Sequence, residues 1–214
     1  MTDYSTYIFD LDGTLLDTLT DLSASVNYAL AHHQLPGRSV EEVRCFVGNG
    51  IRKLIERAVP AGTAPEQTDA VFNTFREHYL VHSLDTTRPY PGICDVLAEL
   101  RRRGKHIAVV SNKYWAATED LCQHFFPDTV EVAIGENEAA GIRRKPAPDT
   151  VLSALKRLGA DRSGAVYVGD SDVDIETARN AGLPVVSVLW GFRDRDFLLR
   201  AGATTLIERP EQLL

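Results

Sequence analysis

Short apolar segments alternate with amphipathic segments in the second half of the chain, and this alternation most constrains the fold. The apolar runs lie at residues 107–110, 130–134, 165–168, 185–188 and 204–207. The helix-like stretches between them include 93–100, 151–158 and 175–181. Strands that are apolar on both faces and alternate with helices form a parallel sheet covered by helices. We therefore predict an α/β protein with a Rossmann-like parallel sheet.

A helical insertion interrupts this pattern near the start of the chain. One apolar run, 7–9, comes first, and apolar residues then recur at helical spacing through 16–86. The segment 86–92 is rich in residues that break helices and returns the chain to the first domain. We predict an α/β core of residues 1–15 and 87–214 and an all-helical inserted domain of residues 16–86.

Composition excludes several classes of function. The 23 Lys and Arg against 30 Asp and Glu give a formal net charge of -7, which argues against nucleic acid as a partner. No apolar run approaches the roughly 20 residues that span a bilayer, and Met1–Ser5 do not resemble a signal peptide. Three scattered cysteines fit neither a disulfide framework nor a zinc site. We expect no membrane partner, a cytoplasmic location, and core positions for Cys45, Cys94 and Cys122.

Polar residues follow three of the predicted strands, where ligands bind in sheets of this kind. These segments, in chain order, are Asp10-Leu11-Asp12-Gly13-Thr14, Ser111-Asn112-Lys113 and Gly169-Asp170-Ser171-Asp172-Val173-Asp174. A basic island that includes Lys145 lies between the last two. Each signal alone is weak, because an Asp-x-Asp-Gly segment is more often only a turn and helix cap. Together they suit phosphoryl transfer through a divalent metal.

The chemistry of phosphate esters explains this choice of residues. Attack on an ester anion needs a hard cation with oxygen ligands and fixed donors for the phosphoryl oxygens. Asp10 and Asp170 can supply carboxylates to Mg²⁺, whereas Lys145 and Ser111 can neutralise the transferring group.

The first segment also offers a nucleophile and a proton donor. Asp10 and Asp12 lie on the same side of an extended chain, so one carboxylate can attack phosphorus and the other can protonate the leaving oxygen. Gly13 permits a tight turn beside the substrate, and Thr14 adds a hydroxyl donor.

These segments together resemble the haloacid dehalogenase (HAD) superfamily over essentially the whole chain. Its phosphatases carry Asp-x-Asp-Gly-Thr, a Ser or Thr after the second strand, a lysine and Gly-Asp-x-x-x-Asp, in this order. The resemblance implies an HAD-like core, a helical cap that closes over the site, and Mg²⁺ as cofactor. It implies that Asp10 is the nucleophile that becomes an aspartyl-phosphate and that Asp12 is the general acid and base. Asp10, the backbone carbonyl of Asp12, and Asp170 are then the Mg²⁺ ligands.

The same resemblance assigns further roles. It implies a phosphate cradle of Ser111, Asn112 and Lys145, with Asp174 as a partner of Lys145 or of a metal-bound water. Dehalogenases, phosphonatases and ion-pumping ATPases of the superfamily differ at the position of Asp12, which favours hydrolysis of phosphate esters.

The segment Phe46-Val47-Gly48-Asn49-Gly50-Ile51-Arg52-Lys53 lies in the predicted cap, and it resembles the cap loop of phosphoglycolate phosphatases. Backbone N–H groups of Gly48, Asn49 and Gly50, with Arg52, are expected to bind a second anionic group such as the carboxylate of 2-phosphoglycolate. The chain has Tyr114 where the common pattern has Pro, so another small phosphate monoester or pyrophosphate remains possible.

We therefore predict a Mg²⁺-dependent phosphomonoesterase, a monomer or homodimer whose partner is a small phosphorylated metabolite. Alternatives within the superfamily are a pyrophosphatase, a sugar-phosphate phosphatase and a phosphomutase. An alternative of another class is a phospho-accepting signalling domain. Asp12 and the cap argue against it, since a positioned acid/base speeds hydrolysis of the phosphoaspartate that such a domain must keep.

Two further features have more than one interpretation. His78 and His82 have the i, i+4 spacing of a metal pair, but we expect exposed or packing histidines. The segment Trp190–Arg193 either lines the pocket or packs beside a turn.

Overall fold

A six-stranded parallel sheet forms within residues 3–214, which the computed structural model describes. Met1 and Thr2, on which the signal-peptide expectation partly rests, lie outside the described residues. The strands of the described part are β1 (Thr6–Phe9), β2 (Leu16–Asp17), β3 (Arg88–Pro89), β4 (His106–Tyr114), β5 (Val132–Glu136), β6 (Ala165–Gly169), β7 (Val185–Val188) and β8 (Leu206–Ile207). The order is β5-β4-β1-β6-β7-β8, with all neighbours parallel. The predicted fold class is confirmed.

The α-helices of the described residues fall into two groups. The first group is α1 (Leu19–His32), α2 (Val40–Phe46), α3 (Ile51–Ala58) and α4 (Pro65–His82). The second group is α5 (Ile93–Arg102), α6 (Trp115–Phe125), α7 (Asp149–Leu158), α8 (Asp172–Ala181) and α9 (Arg195–Arg200).

The chain forms two compact units. One unit is the chain up to Leu16 with Pro89–Leu214, and it contains the six-stranded sheet; the other is Asp17–Arg88, with α1 to α4. The sequence predicts the insertion at 16–86, so the helical unit begins one residue later and ends two residues later. β2 and β3 pair with each other where the chain passes from one unit to the other.

Helices cover both faces of the parallel sheet. In β1, Tyr7 and Phe9 join a buried cluster with side chains of α5 and α6, whereas Ile8 joins one with side chains of α7 and α8. Successive residues of a strand point to opposite faces, so a strand covered on both faces is apolar throughout. Burial of each such side chain stabilises the fold by about 2 kcal/mol.

The helical unit is stabilised by the packing of α1 against α4. The buried apolar side chains of this contact are Leu22, Val26, Ala29, Leu30, Val71, Phe75 and Tyr79. The Asp21 carboxylate on α1 accepts hydrogen bonds of 2.6–3.0 Å from the backbone N–H groups and hydroxyls of Thr86 and Thr87. One buried carboxylate thus binds the segment that ends the unit.

Three details of the sequence prediction are wrong. β4 continues through Tyr114, so Ser111–Lys113 lie within the strand rather than after it. Cys45 and Cys94 are exposed, while Cys122 is buried as expected. The reason for Cys94 is its place on α5, which buries its neighbour Ile93 and then Val96 instead.

No helix among residues 3–214 has both the length and the apolar character needed to cross a membrane.

Candidate active site

Three residues of the predicted site lie at the ends of strands that are neighbours in the sheet. β1 lies between β4 and β6 and pairs with both. Asp10 follows β1, Ser111 lies near the end of β4, and Asp170 follows β6. All three are buried. The topology therefore brings together segments that are far apart in the sequence.

Lys145 lies between two carboxylates. Its Nζ is 2.8 Å from Asp10 Oδ1 and 2.8 Å from Asp174 Oδ1, and only 2% of its side chain is exposed. Burial alone would lower the pKa of Lys145, but the charges of Asp10 and Asp174 more than offset it, so the pKa lies above its usual value. Lys145 is thus a permanent cation beside the predicted nucleophile.

Asn112 holds the backbone of Lys145. Its Oδ1 accepts from the Lys145 N–H at 2.7 Å, and its Nδ2 donates to the Lys145 carbonyl at 3.1 Å. This pair of bonds joins the end of β4 to the loop that carries the lysine. Asn112, which is predicted to bind phosphate, therefore also positions the backbone of Lys145.

Asp174 is completely buried, and both of its oxygens accept hydrogen bonds. Besides Lys145, the Tyr167 hydroxyl donates to Oδ1 at 2.9 Å. The N–H of Asp170, and the N–H and hydroxyl of Ser171, donate to Oδ2 at 2.6–3.2 Å. Ser171 and Asp174 also form the capping box at the start of α8. Of the two predicted partners of Asp174, the structure places Lys145 against it.

Asp170 accepts hydrogen bonds from the segment Asp10–Thr14 and from the loop after β7. The Thr14 hydroxyl donates to its Oδ1 at 3.3 Å, and the Phe192 N–H donates to its Oδ2 at 2.7 Å. Gly13 has a φ of 87°, and a Cβ at this position would overlap Asp170. Gly13 is therefore needed for its conformation and for the close approach of the carboxylate.

Three buried acids lie close enough to share one ion. Ligand oxygens of Asp10, Asp170 and Asp174 all lie within 4.8 Å of one another. Burial and the charge of Asp174 raise the pKa of Asp10 well above its usual value and that of Asp170 to about 7. Such crowding of carboxylates is relieved by a hard cation with oxygen ligands. Each oxygen of Asp174 already accepts two or more hydrogen bonds from Lys145, Tyr167, Ser171 and the Asp170 N–H, so Asp10 and Asp170 are the side chains that better fit Mg²⁺.

Asp12 has one paired oxygen and one unpaired oxygen. Lys113 Nζ lies 3.2 Å from Oδ2. Oδ1 is buried and accepts no hydrogen bond from the part of the chain that the structure describes.

Tyr167 is a site residue that the sequence did not indicate, whereas the segment Trp190–Arg193 was predicted either to line the pocket or to pack beside a turn. Tyr167 lies in the apolar strand β6, and its hydroxyl also accepts from Lys145 at 3.1 Å. Trp190 Nε1 donates to the Thr14 carbonyl at 2.9 Å, so the loop after β7 borders the site through Trp190 and Phe192. The sequence signal for this loop was its position directly after a predicted strand.

The loop of the helical unit that was predicted to bind substrate has its own contacts. Gly48 and Gly50 have positive φ angles of 126° and 84°. Asn49 Oδ1 accepts from Arg57 at 2.7 Å. Arg52 forms ion pairs with Glu56 at 3.2 Å and with Asp69 at 2.5 Å. The charge of Arg52 is thus balanced by two carboxylates of the same unit.

The histidine pair on α4 packs rather than forming a recognisable metal site. The rings of His78 and His82 stack with centroids 4.2 Å apart, and His78 Nδ1 lies 2.9 Å from Ser25 Oγ. Within residues 3–214, the cluster of three potential ligands is the aspartate group described above, and it includes neither histidine.

Comparison with known proteins gives consistent matches. The family model of haloacid dehalogenase-like hydrolases matches residues 7–188. A phosphoglycolate phosphatase of Mesorhizobium japonicum is 37% identical over 88% of this chain and 84% of its own. An N-acetylmuramic acid 6-phosphate phosphatase of Pseudomonas aeruginosa is 31% identical over 97% of this chain and 92% of its own.

The fold also matches a solved structure closely. A protein of Lactobacillus delbrueckii subsp. bulgaricus superposes with a TM-score of 0.92 at 36% identity, covering 99% of this chain and 97% of the other.

Proposed function

Because the chain belongs to the haloacid dehalogenase-like hydrolase family and is a phosphatase, we propose that it hydrolyses a small phosphate monoester, 2-phosphoglycolate, to glycolate and phosphate. We propose Mg²⁺ as the cofactor and an aspartyl-phosphate as the intermediate. The observation that carries this proposal is the buried cluster of Asp10, Lys145, Asp170 and Asp174 at the ends of β1 and β6.

Asp10 is suited to attack phosphorus because its other contacts hold it still. Its Oδ1 accepts from the Leu11 N–H at 2.7 Å and from Lys145 at 2.8 Å, which leaves Oδ2 as the attacking atom. As the bond between Asp10 and phosphorus forms, the leaving oxygen takes a proton from Asp12. Asp12 then removes a proton from a water that attacks phosphorus, which releases phosphate and restores Asp10.

Charge neutralisation is divided between the protein and the cofactor. Lys145 supplies a fixed positive charge, and Ser111 and the backbone N–H groups of the first motif supply donors to the phosphoryl oxygens. Mg²⁺, held by Asp10, Asp170 and the backbone carbonyl of Asp12, supplies further neutralisation of those oxygens when bound.

The substrate proposal rests on the relatives and on the cap loop. Phosphoglycolate is the substrate in the name of the relative at 37% identity. We keep Gly48, Asn49, Gly50 and Arg52 as the proposed contacts of the substrate carboxylate. The N-acetylmuramic acid 6-phosphate phosphatase, at 31% identity over nearly the whole chain, makes a sugar phosphate the second candidate.

The remaining alternatives differ in their support. A signalling domain is set aside, since the family is one of hydrolases. Pyrophosphatase and phosphomutase activities stay open within the superfamily. A cytoplasmic location is proposed from the three free cysteines, together with a monomeric or homodimeric state and a small phosphorylated metabolite as partner.

A phosphate-release assay tests the proposed substrate. Phosphoglycolate, N-acetylmuramic acid 6-phosphate, pyrophosphate, sugar phosphates and nucleotides are compared by kcat/KM in the presence of Mg²⁺. We expect phosphoglycolate to give the highest value. A higher value for another compound would replace phosphoglycolate as the substrate.

A cap-loop variant tests the proposed contacts of the carboxylate. The Arg52→Ala, Asn49→Ala double variant should lose phosphoglycolate hydrolysis selectively. Its hydrolysis of p-nitrophenyl phosphate, which carries no second anionic group, should persist. Unchanged kcat/KM for phosphoglycolate in this variant would refute the role of the cap loop.

A further inference from the structure

Lys113 is a buried cation that the proposed mechanism has not used. Its side chain is 2% exposed, and its Nζ lies 3.2 Å from Asp12 Oδ2. An ammonium group so far from solvent requires a nearby carboxylate. Lys113 therefore forms a buried ion pair with Asp12, the predicted general acid, which lies in a turn and not in a strand.

The sheet fixes both partners of this pair. Lys113 lies in β4, which pairs with β1, the strand that leads into Asp12. The Lys113 N–H donates to Ser111 Oγ at 3.2 Å. On the other side, Asp12 bridges to Leu16, and the Gly13 N–H donates to the Leu16 carbonyl at 2.9 Å. The backbones of Lys113 and Asp12 are both fixed by hydrogen bonds, so the contact between the two residues can orient the Asp12 side chain.

The two oxygens of Asp12 are not equivalent. Oδ2 is paired with Lys113, whereas Oδ1 is buried and lacks a hydrogen-bond partner among the described residues. A buried oxygen without a protein partner can accept from or donate to a water or a substrate atom. A carboxylic acid carries its proton on one oxygen, and Lys113 can donate to Oδ2 whether or not Asp12 is protonated. The proton is then confined to Oδ1.

We propose that Lys113 is a positioning residue that orients Asp12 so that Oδ1 exchanges the proton with the leaving group and with water. This inference rests on the proposed function. In the first step the bond from Asp10 to phosphorus forms, and the bond from phosphorus to the leaving oxygen breaks. The leaving oxygen keeps that electron pair and takes the proton from Asp12 Oδ1, so an alcohol departs and Asp12 is left as a carboxylate.

A positioning role predicts a dependence on the leaving group. An alkyl phosphate such as phosphoglycolate would leave as a strongly basic alkoxide and needs the proton. p-Nitrophenyl phosphate leaves as a stable anion and does not need it. Loss of a merely structural lysine would lower kcat/KM for both substrates by the same factor.

The test compares Lys113→Met with wild type on phosphoglycolate and p-nitrophenyl phosphate. We expect kcat/KM for phosphoglycolate to fall about 10²-fold, as general acid catalysis is commonly worth, and kcat/KM for p-nitrophenyl phosphate to fall by no more than about threefold. Lys105→Met is the matched control, because Lys105 also pairs with an aspartate, Asp3, at 2.5 Å. This control should leave the ratio of the two values unchanged.

Two more variants keep the test decisive if Lys113→Met folds poorly. Lys113→Gln keeps a hydrogen-bond donor without the charge. Its ratio of kcat/KM for phosphoglycolate to kcat/KM for p-nitrophenyl phosphate should lie between those of Lys113→Met and wild type. In an Asp12→Ala background, Lys113→Met should no longer change the ratio, since Lys113 acts through Asp12. An equal loss on both substrates, or the same ratio change without Asp12, would overturn the inference. A wild-type enzyme that hydrolyses neither ester would instead overturn the proposed function.

Discussion

At the scale of single residues, Asp170 links the electrostatics of the site to metal binding. Burial and the charge of Asp174 raise the pKa of Asp170 to about 7. If Mg²⁺ binds this carboxylate, as proposed, protons compete with the metal below that pH. We predict that Mg²⁺ affinity, measured by calorimetry, falls as the pH decreases from 8 to 6, and that Asp170→Asn binds weakly at both values. Affinity independent of pH over this range would contradict the assignment.

Asp21 gives a second residue-level prediction, within the helical unit. Burial raises its pKa, but the hydrogen bonds from Thr86 and Thr87 more than offset burial, so the pKa lies below its usual value. A lowered pKa contributes stability above the unfolded value of about 3.9, and that stability is lost as the pH falls through the folded pKa.

We therefore expect Asp21→Asn to lower the free energy of unfolding at pH 7 by about 1.5–3 kcal/mol, the range for hydrogen bonds to a charged group. The difference from wild type should shrink as the pH falls below about 4. Urea denaturation at pH 7 and pH 3 measures it, with the exposed Asp128→Asn as control. A difference that is the same at both pH values would refute the charge-based explanation.

The sequence revealed those site residues whose side chains differ from their surroundings. Asp10, Asp170 and Lys145 stand out because charged groups beside apolar strands are costly to bury without a function. Tyr167 did not stand out, since a tyrosine in an apolar strand is typical of a core. Phe192 contacts Asp170 through its backbone N–H, which every residue except proline carries. Its residue type therefore gave no indication of this contact.

At the scale of structural elements, the loop after β7 orients the Asp170 carboxylate through the Phe192 N–H. A Cβ on Gly191 would overlap Asp170 and the Gly13 carbonyl. We predict that Gly191→Ala displaces this loop and weakens Mg²⁺ binding about 10- to 100-fold, as loss of groups that orient ligands commonly does. Calorimetry measures the affinity, and Gly141→Ala is the control: its φ of 79° also strains an alanine, but a Cβ there meets no atom within 4 Å. Unchanged Mg²⁺ affinity in Gly191→Ala would show that the loop does not support the ligand.

Element boundaries were predictable where apolar runs end abruptly and not where polar residues continue a strand. β7, at Val185–Val188, has the predicted bounds. β4 extends four residues beyond its predicted end at Val110, through Tyr114. After a register shift, β4 pairs with β5 again at Tyr114 and Glu136, and within this extension the side chains of Asn112 and Lys113 contact Lys145 and Asp12. Partners that are distant in the sequence leave no local pattern.

At the scale of the whole molecule, the order of the strands accounts for the site. β1, β4 and β6 are central neighbours, so residues 10, 111 and 170 lie at the same edge of the sheet although they are far apart along the chain. The parallel topology could be predicted from the sequence. Strands that are buried on both faces and alternate with helices can form few kinds of sheet other than a parallel one. The strand order itself was not predicted, because apolar strands of similar composition do not specify their neighbours.

The central claim is that Asp10 attacks phosphorus and Asp12 serves the second step. Asp12→Asn cannot activate water, yet p-nitrophenyl phosphate needs no proton to leave. The measurement is rapid-mixing release of p-nitrophenol by this variant with Mg²⁺, followed by acid quench and mass spectrometry. We expect a burst of about one p-nitrophenol per site, a phosphoryl group on the peptide that contains Asp10, and no burst from the Asp10→Asn, Asp12→Asn double variant. Steady turnover by Asp10→Asn, or a phosphoryl group on another residue, would contradict it.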